Sequence, residues 1–378
     1  MTTLLARPRL GISHHRSDLD VATPYLRMDL DAVATAYRRM AAALPGVQIH
    51  YAMKCNPDRR VLAMLGALGC RFEIASAPEL DLLLDLGFAA ADQLYSNPVK
   101  PRGHIAHAHA AGLNRFAVDS VAELHKIAAA APGAEVYARL AVADGSSEVQ
   151  SEGKFGVDGA AAGALLLAAR ELGLQPHGLT FHVGSQMLDP AHWERAIAQS
   201  GAVMRDLRRQ GVTLAMLDIG GGFPAAYASP VRPIEDFGRR IIAALAAHLP
   251  YPVRVVAEPG RALVAEAGLL VSRVIGTAER AGRKWVHVDV GAFNGMMEAL
   301  ETRNQLRYPV RDSRRAALKQ LVHLTGPSCD SQDTLLFDVP LSRGIIDDDL
   351  VFIGSAGAYT TSYASNFNGF DVPMTHCV

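Results

Sequence analysis

From about residue 30 to residue 260 the chain alternates short apolar runs with longer stretches of helical periodicity. No other feature restricts the fold as strongly. Eight runs read as strands: VQIHYAM (47–53), RFEIA (71–75), QLYS (93–96), RFAV (115–118), EVYARLAV (135–142), HGLTFHV (177–183), TLAMLDI (213–219) and PVRVVAE (252–258). Amphipathic segments such as APELDLLLDLG and PAHWERAIAQSGAVMRDLRRQG lie between them. Strands that alternate with helices pair in parallel through right-handed crossovers. Eight such repeats fit a closed (β/α)8 barrel better than an open doubly wound sheet.

After about residue 265 the texture changes. AGLLVSRVIGTAER, KWVHVDVGAF, LKQLVHLTG, DTLLFDVPL and DDLVFIGSAGAY read as strands joined by turns, with no helices between them. The division this predicts is an α/β barrel over 30–265 and an all-β, sandwich- or barrel-like domain from 1–29 and 266–378. TPYLRMDL (23–30) is a strand-like lead-in to the second domain.

Composition narrows the function. The 378 residues carry 37 Lys+Arg against 38 Asp+Glu, a net charge of -1, which argues against a nucleic-acid partner. With 49% apolar and 20% charged residues, the chain can bury a large core. No apolar run has the length of a membrane helix, and the opening MTTLLARPRLGISHHRSD has no signal-like stretch. Four cysteines, Cys55, Cys70, Cys329 and Cys377, stand without metal-like pairing. The expectation is a cytoplasmic enzyme that is not membrane-bound.

In such a barrel the chemistry lies where the strands end. There the sequence places Lys54, Glu73, Arg139, His182-Val183-Gly184-Ser185, Asp218 followed by Gly220-Gly221-Gly222, and Glu258-Pro259-Gly260-Arg261. Singly, each has an ordinary reading: a solvated lysine, a hydrogen-bonded histidine, a tight turn, a charged turn. Together, on one rim, they suggest specific chemistry. A lysine condenses with an aldehyde. Successive glycine N–H groups cradle a phosphate, and an arginine adds a charged fork. A carboxylate keeps a heteroaromatic nitrogen protonated, and a histidine lies against a ring. Aldehyde, phosphate and ring nitrogen together describe pyridoxal 5'-phosphate.

YAMKCN, FEIAS, SEGKFG, FHVGSQ, LDIGGGFP, AEPGR, GPSCDSQD and GAYTTSYASNFNGF span residues 51 to 370. In that order they resemble the fold-type III, pyridoxal-phosphate-dependent basic amino-acid decarboxylases, nearest to ornithine decarboxylase and the bacterial lysine/ornithine form. The resemblance implies a barrel plus a β domain, and it implies roles residue by residue. Lys54 holds the cofactor aldehyde, His182 stacks on the ring, and Glu258 faces the pyridine nitrogen. Ser185, Gly220, Gly221, Gly222, Gly260, Arg261 and Tyr359 form the phosphate site. Arg139 stands close to the cofactor, and Glu73 is the acid near His182. Cys329 enters from a partner subunit as proton donor, and Asp330 meets the substrate's distal amine, with Glu298 and Phe367 also at the substrate. Lys154 and Asp333 form an intersubunit salt bridge, which implies a homodimer with shared sites. In FNGMMEAL, Ala299 stands where eukaryotic relatives carry Asp, leaving Glu298 as the nearest acid.

The implied reaction is decarboxylation of ornithine to putrescine, with lysine to cadaverine beside it. Other substrates stay open: diaminopimelate, arginine or a specialised-metabolite amino acid. So do a racemase and a non-catalytic regulatory homologue, although the latter typically loses cofactor residues that are all present here. His104, His107 and His109 on one helix have no acidic partner at ligand spacing, and no metal is expected.

Overall fold

The computed structural model describes residues 21–142, 147–149 and 153–378. Residues 1–20, and with them most of the expected N-terminal piece of the second domain, lie outside the described residues. The chain forms two compact units. One takes Ala34–Pro224 and Arg232–Gly260; the other takes the N-terminal residues up to Val33, then Ala225–Val231 and Arg261–Val378.

The first unit is a closed parallel barrel of eight strands: Val47–Ala52, Arg71–Ile74, Leu94–Tyr95, Arg115–Val118, Glu135–Leu140, Gln175–Phe181, Met216–Asp218 and Arg254–Ala257. The eighth closes on the first, with Val255 opposite Val47. Each strand is shorter than its apolar run, or shifted against it. The run QLYS contributes only Leu94–Tyr95, and TLAMLDI only Met216–Asp218. Residues beyond the last strand hydrogen bond, such as Ser96, His182 and Glu258, are therefore released to build the rim. Leu94, Ala117, Tyr137, Met216 and Val256, from five strands, pack together in the core. Helix starts are set locally. Ser76, Ser120 and Asp158 cap the helices Ala77–Asp85, Val121–Ala130 and Gly159–Glu171 by accepting from backbone N–H groups one turn on.

The second unit is an eight-stranded sheet. Its long strand Gly268–Arg280 pairs antiparallel with Leu350–Gly354 and Arg283–Val288. The lead-in Tyr25–Met28 pairs antiparallel with Gly268–Val271 and parallel with Met374–Cys377. One expectation is corrected here. The β region is not free of helix, because Met297–Glu301 forms a single short turn of α-helix that buries Glu298 and Ala299. Five residues are too few to show helical periodicity. No helix among the described residues is long and apolar enough to cross a membrane.

Candidate active site

The carboxyl ends of the barrel strands gather the predicted rim. Lys54 sits in a 3-10 turn, Met53–Cys55, directly after the first strand. The turn is tied down by its neighbours: Tyr51 Oη donates to Asn56 O at 3.1 Å, and Ala52 N–H donates to Pro259 O at 3.1 Å. A Cβ on Gly260 would stand 3.0 Å from the Cβ of Cys55. Gly260 and the buried Cys55 thus press the lysine turn against the Glu258–Gly260 turn. The Lys54 ammonium is 48% exposed and bonds Glu73 Oε2 at 2.7 Å, while Glu73 is buried. Desolvation works against the Lys54 charge, but Glu73 and then Glu258 outweigh it and lift the group above its ordinary value.

The glycine run admits nothing larger. A Cβ at Gly220 would strike Phe181 O, one at Gly221 would lie 2.5 Å from Glu258 O, and one at Gly222 would strike Gly184 O. Gly220 and Gly222 also hold φ of 63° and 96°, in the left-handed region. Gly222 O accepts from Met187 N–H at 2.9 Å, which holds the Ser185–Met187 strand beside the run. His182 Nδ1 accepts from Gly184 N–H at 2.9 Å, so in the neutral ring the proton lies on Nε2.

Behind this rim lies a buried acidic cluster. Asp218 accepts from Thr180 Oγ1 at 2.6 Å and from Gly220 N–H at 2.8 Å; burial pushes it up to about 6. Glu258 stands well above the carboxylate range, first through burial, then through Asp218 and Glu73. Glu79, which accepts from Ala75 N–H at 2.5 Å, is pushed up to about 7 by burial and by Glu73. Half-buried Arg139 feels Glu258, Asp119, Glu73 and Asp218, although burial holds its guanidinium below the ordinary value. Glu79, Ser96 and Tyr137 escaped the sequence reading. Ser96 shares the strand-end position of the others, and that signal could have found it.

The second unit holds its own cluster. Arg261 is buried; its Nη1 donates to Tyr227 Oη at 2.6 Å and to Glu298 Oε2 at 2.8 Å, and its Nη2 donates to Glu298 Oε1. The Tyr359 ring lies 5.0 Å from the guanidinium. Tyr308 Oη adds a 3.4 Å bond to Glu298. Glu298 was expected at the substrate's far amine. Instead both of its oxygens are engaged by Arg261, and it is 3% exposed. Asp333, expected at a subunit contact, is likewise buried. It accepts from Ala292 N–H at 2.7 Å and Ser328 N–H at 2.9 Å within its own chain. Lys154 is exposed beside the Phe155 ring. Cys329 and Asp330 lie exposed on one loop, where Asn368 Nδ2 approaches Cys329 Sγ at 3.4 Å. Phe367, next to Asn368, stacks on Phe293 with centroids 4.6 Å apart.

The barrel rim fits pyridoxal phosphate. It offers an amine, a bare glycine turn whose N–H groups a phosphate can approach, and a buried carboxylate surrounded by other acids that matches a protonated ring nitrogen. A parallel barrel with this rim defines a pyridoxal-phosphate enzyme. The chain belongs to the pyridoxal-dependent decarboxylases: residues 30–265 match that family's pyridoxal-binding domain. The lysine/ornithine decarboxylase of Selenomonas ruminantium is 35% identical over 358 residues, covering 94% of this chain and 89% of that relative. A solved lysine/ornithine decarboxylase from Vibrio vulnificus, complexed with putrescine, matches with a TM-score of 0.88 at 35% identity and covers 96% of each chain. The arginine decarboxylase of Paramecium bursaria Chlorella virus matches with a TM-score of 0.89 at 26% identity, covering 96% of this chain and 98% of that one. The chain is a basic amino-acid decarboxylase that uses pyridoxal phosphate.

Proposed function

We propose that the substrate is L-ornithine, with L-lysine accepted beside it, giving putrescine or cadaverine and CO2. The observation that carries this reading is the exposed Cys329-Asp330 pair. With Glu298 engaged by Arg261, Asp330 is the acid available to a substrate's distal ammonium. A single exposed carboxylate tolerates more than one chain length, in keeping with relatives named for both lysine and ornithine.

In this reading Lys54 holds the cofactor aldehyde, His182 lies against the ring and Glu258 faces the ring nitrogen. Ser185, Gly220, Gly221, Gly222, Gly260, Arg261 and Tyr359 hold the phosphate, and Arg139 adds positive charge near it. Bound there, the cofactor supplies an electron-poor ring that accepts the electron pair released as CO2 departs. Glu258 keeps that ring charged, which is stabilisation of developing charge by a fixed group. Cys329 Sγ–H then returns a proton to the α-carbon, and Asp330 fixes the far end of the chain. Both residues are exposed on their own chain, whereas Cys55 and Cys70 are buried; this supports their serving the site of a second copy in a homodimer.

The test is CO2 release from purified protein with ornithine, lysine, arginine and diaminopimelate, each as the sole substrate. Ornithine and lysine should lead. A preference for arginine or diaminopimelate would overturn the substrate. Cys329→Ala should slow turnover by about a hundredfold. Mixing Lys54→Ala with Cys329→Ala chains should restore measurable activity; none in such hybrids would remove the shared site.

A further inference from the structure

The buried carboxylate at the centre of the rim has a support that the family resemblance does not describe. Ser96, the first residue beyond the third barrel strand, is held in place by its own N–H, which donates to Ile74 O at 3.1 Å. Its Oγ donates to Glu258 Oε1 in a short hydrogen bond and lies 2.8 Å from Tyr137 Oη. A serine hydroxyl has one proton. With that proton on Glu258, the Ser96 oxygen accepts from Tyr137 O–H. The chain therefore runs from phenol to hydroxyl to carboxylate, with both donors pointing at the negative end. Ser96 is 7% exposed and Tyr137 is fully buried in the barrel core. Neither group can be replaced at Glu258 by bulk water without opening the barrel.

We infer that Ser96, backed by Tyr137, is a positioning pair for Glu258: it fixes one carboxylate oxygen and favours the ionised form that the cofactor's ring nitrogen requires. The need for such a device is visible in what surrounds Glu258. Burial, Asp218 and Glu73 all oppose its negative charge, whereas Lys54 and the Ser96 hydrogen bond favour it. Lys54 is committed to Glu73 and to the aldehyde. Ser96 is the neutral donor that remains with Glu258 throughout. Tyr137, whose phenol is driven up by burial and by Glu258, stays a protonated donor at any working pH. Hydrogen bonds to a charged acceptor are stronger than those between neutral groups, and in a chain the outer donor polarises the inner one.

The inference rests on Glu258 facing the ring nitrogen, so the test includes that residue. Holoenzymes of the wild type and of Ser96→Ala, Tyr137→Phe, the double variant and Glu258→Gln are compared in kcat, KM and the pH titration of the cofactor's absorbance. Ser96→Ala should lower kcat about tenfold, with KM changed less than about twofold, and should move the titration midpoint of the ring down by about one pH unit. Tyr137→Phe should show about a third of that effect, without cutting the core, since the ring remains. The double variant should be no worse than Ser96→Ala alone, because Tyr137 acts only through Ser96. Glu258→Gln should exceed them all. Unchanged kcat and spectra in Ser96→Ala with a collapsed Glu258→Gln would overturn the positioning pair and leave the role of Glu258 standing. An unaffected Glu258→Gln would overturn that role itself. Additive losses in the double variant would reduce Ser96 and Tyr137 to packing.

Discussion

The two ends of the same barrel carry opposite charge. At the carboxyl ends of the strands lie Glu73, Glu79, Asp218 and Glu258, with Glu79 and Asp218 lifted to about 7 and about 6. At the amino ends lie His50, Arg71, Arg115, His177 and Arg254, grouped near a cavity of about 420 Å3 that Arg115, Glu135, His177 and Arg254 help to line. There burial and neighbouring arginines act the other way: His50 is pushed down to about 3, and His177 and Arg115 are also lowered. One end crowds anions, the other crowds cations. The difference teaches where a cationic ligand belongs. A protonated ring and the ammonium groups of a diamino acid relieve the strain at the acidic end and would aggravate it at the basic end.

Removing the cation at the acidic end is the most severe way to break this comparison. Lys54→Ala should lower turnover by at least about a thousandfold and leave no borohydride-trapped adduct in the mass spectrum. Retained turnover, or an adduct elsewhere, would move the chemistry off this rim.

Next comes pH. Glu79 and Asp218 have folded pKa values above their ordinary ones, so their contribution is greatest in acid and is lost as pH rises through about 6 to 7. His50 has a depressed value, so its contribution is complete above about 6.5 and is lost as pH falls toward about 3. Cofactor-free protein should therefore lose stability on both sides of a maximum near pH 6. Glu79→Gln should flatten the alkaline limb and His50→Gln the acid limb, each by on the order of 1–3 kcal/mol in urea melts across pH. If either variant flattened the wrong limb, the charge contrast would be misassigned. The smallest effect is expected from Arg254→Gln. The residue is exposed at the basic end, and the change should alter stability by about 0.5 kcal/mol and leave turnover untouched. A large loss of turnover there would mean that the two ends are coupled.

Much of the acidic rim was legible because each of its residues follows a recognisable apolar run. Lys54, His182, Asp218 and Glu258 are all read off as what comes next after a strand. What was not legible depends on distant meetings. Arg261 meets Glu298 across 37 residues, and Ser96 meets Glu258 across 162. The short helix that buries Glu298 left no periodicity to read. The seven-residue excursion Ala225–Val231, which joins the second unit and brings Tyr227 to Arg261, has no mark in the pattern of apolar residues. Asp333 looked like a surface acid by its polar setting, yet the backbone N–H groups of Ala292 and Ser328 draw it inside.

The amino-acid order by itself determined the alternation, the closed barrel and the kinds of chemistry on its rim, because strand propensity, helix caps and glycine turns act over a few residues. Only the tertiary structure decided which carboxylates face a cation, which are locked to an arginine and which are held by a hydroxyl. Those outcomes rest on burial and on contacts between residues far apart in the chain, and neither is a local property.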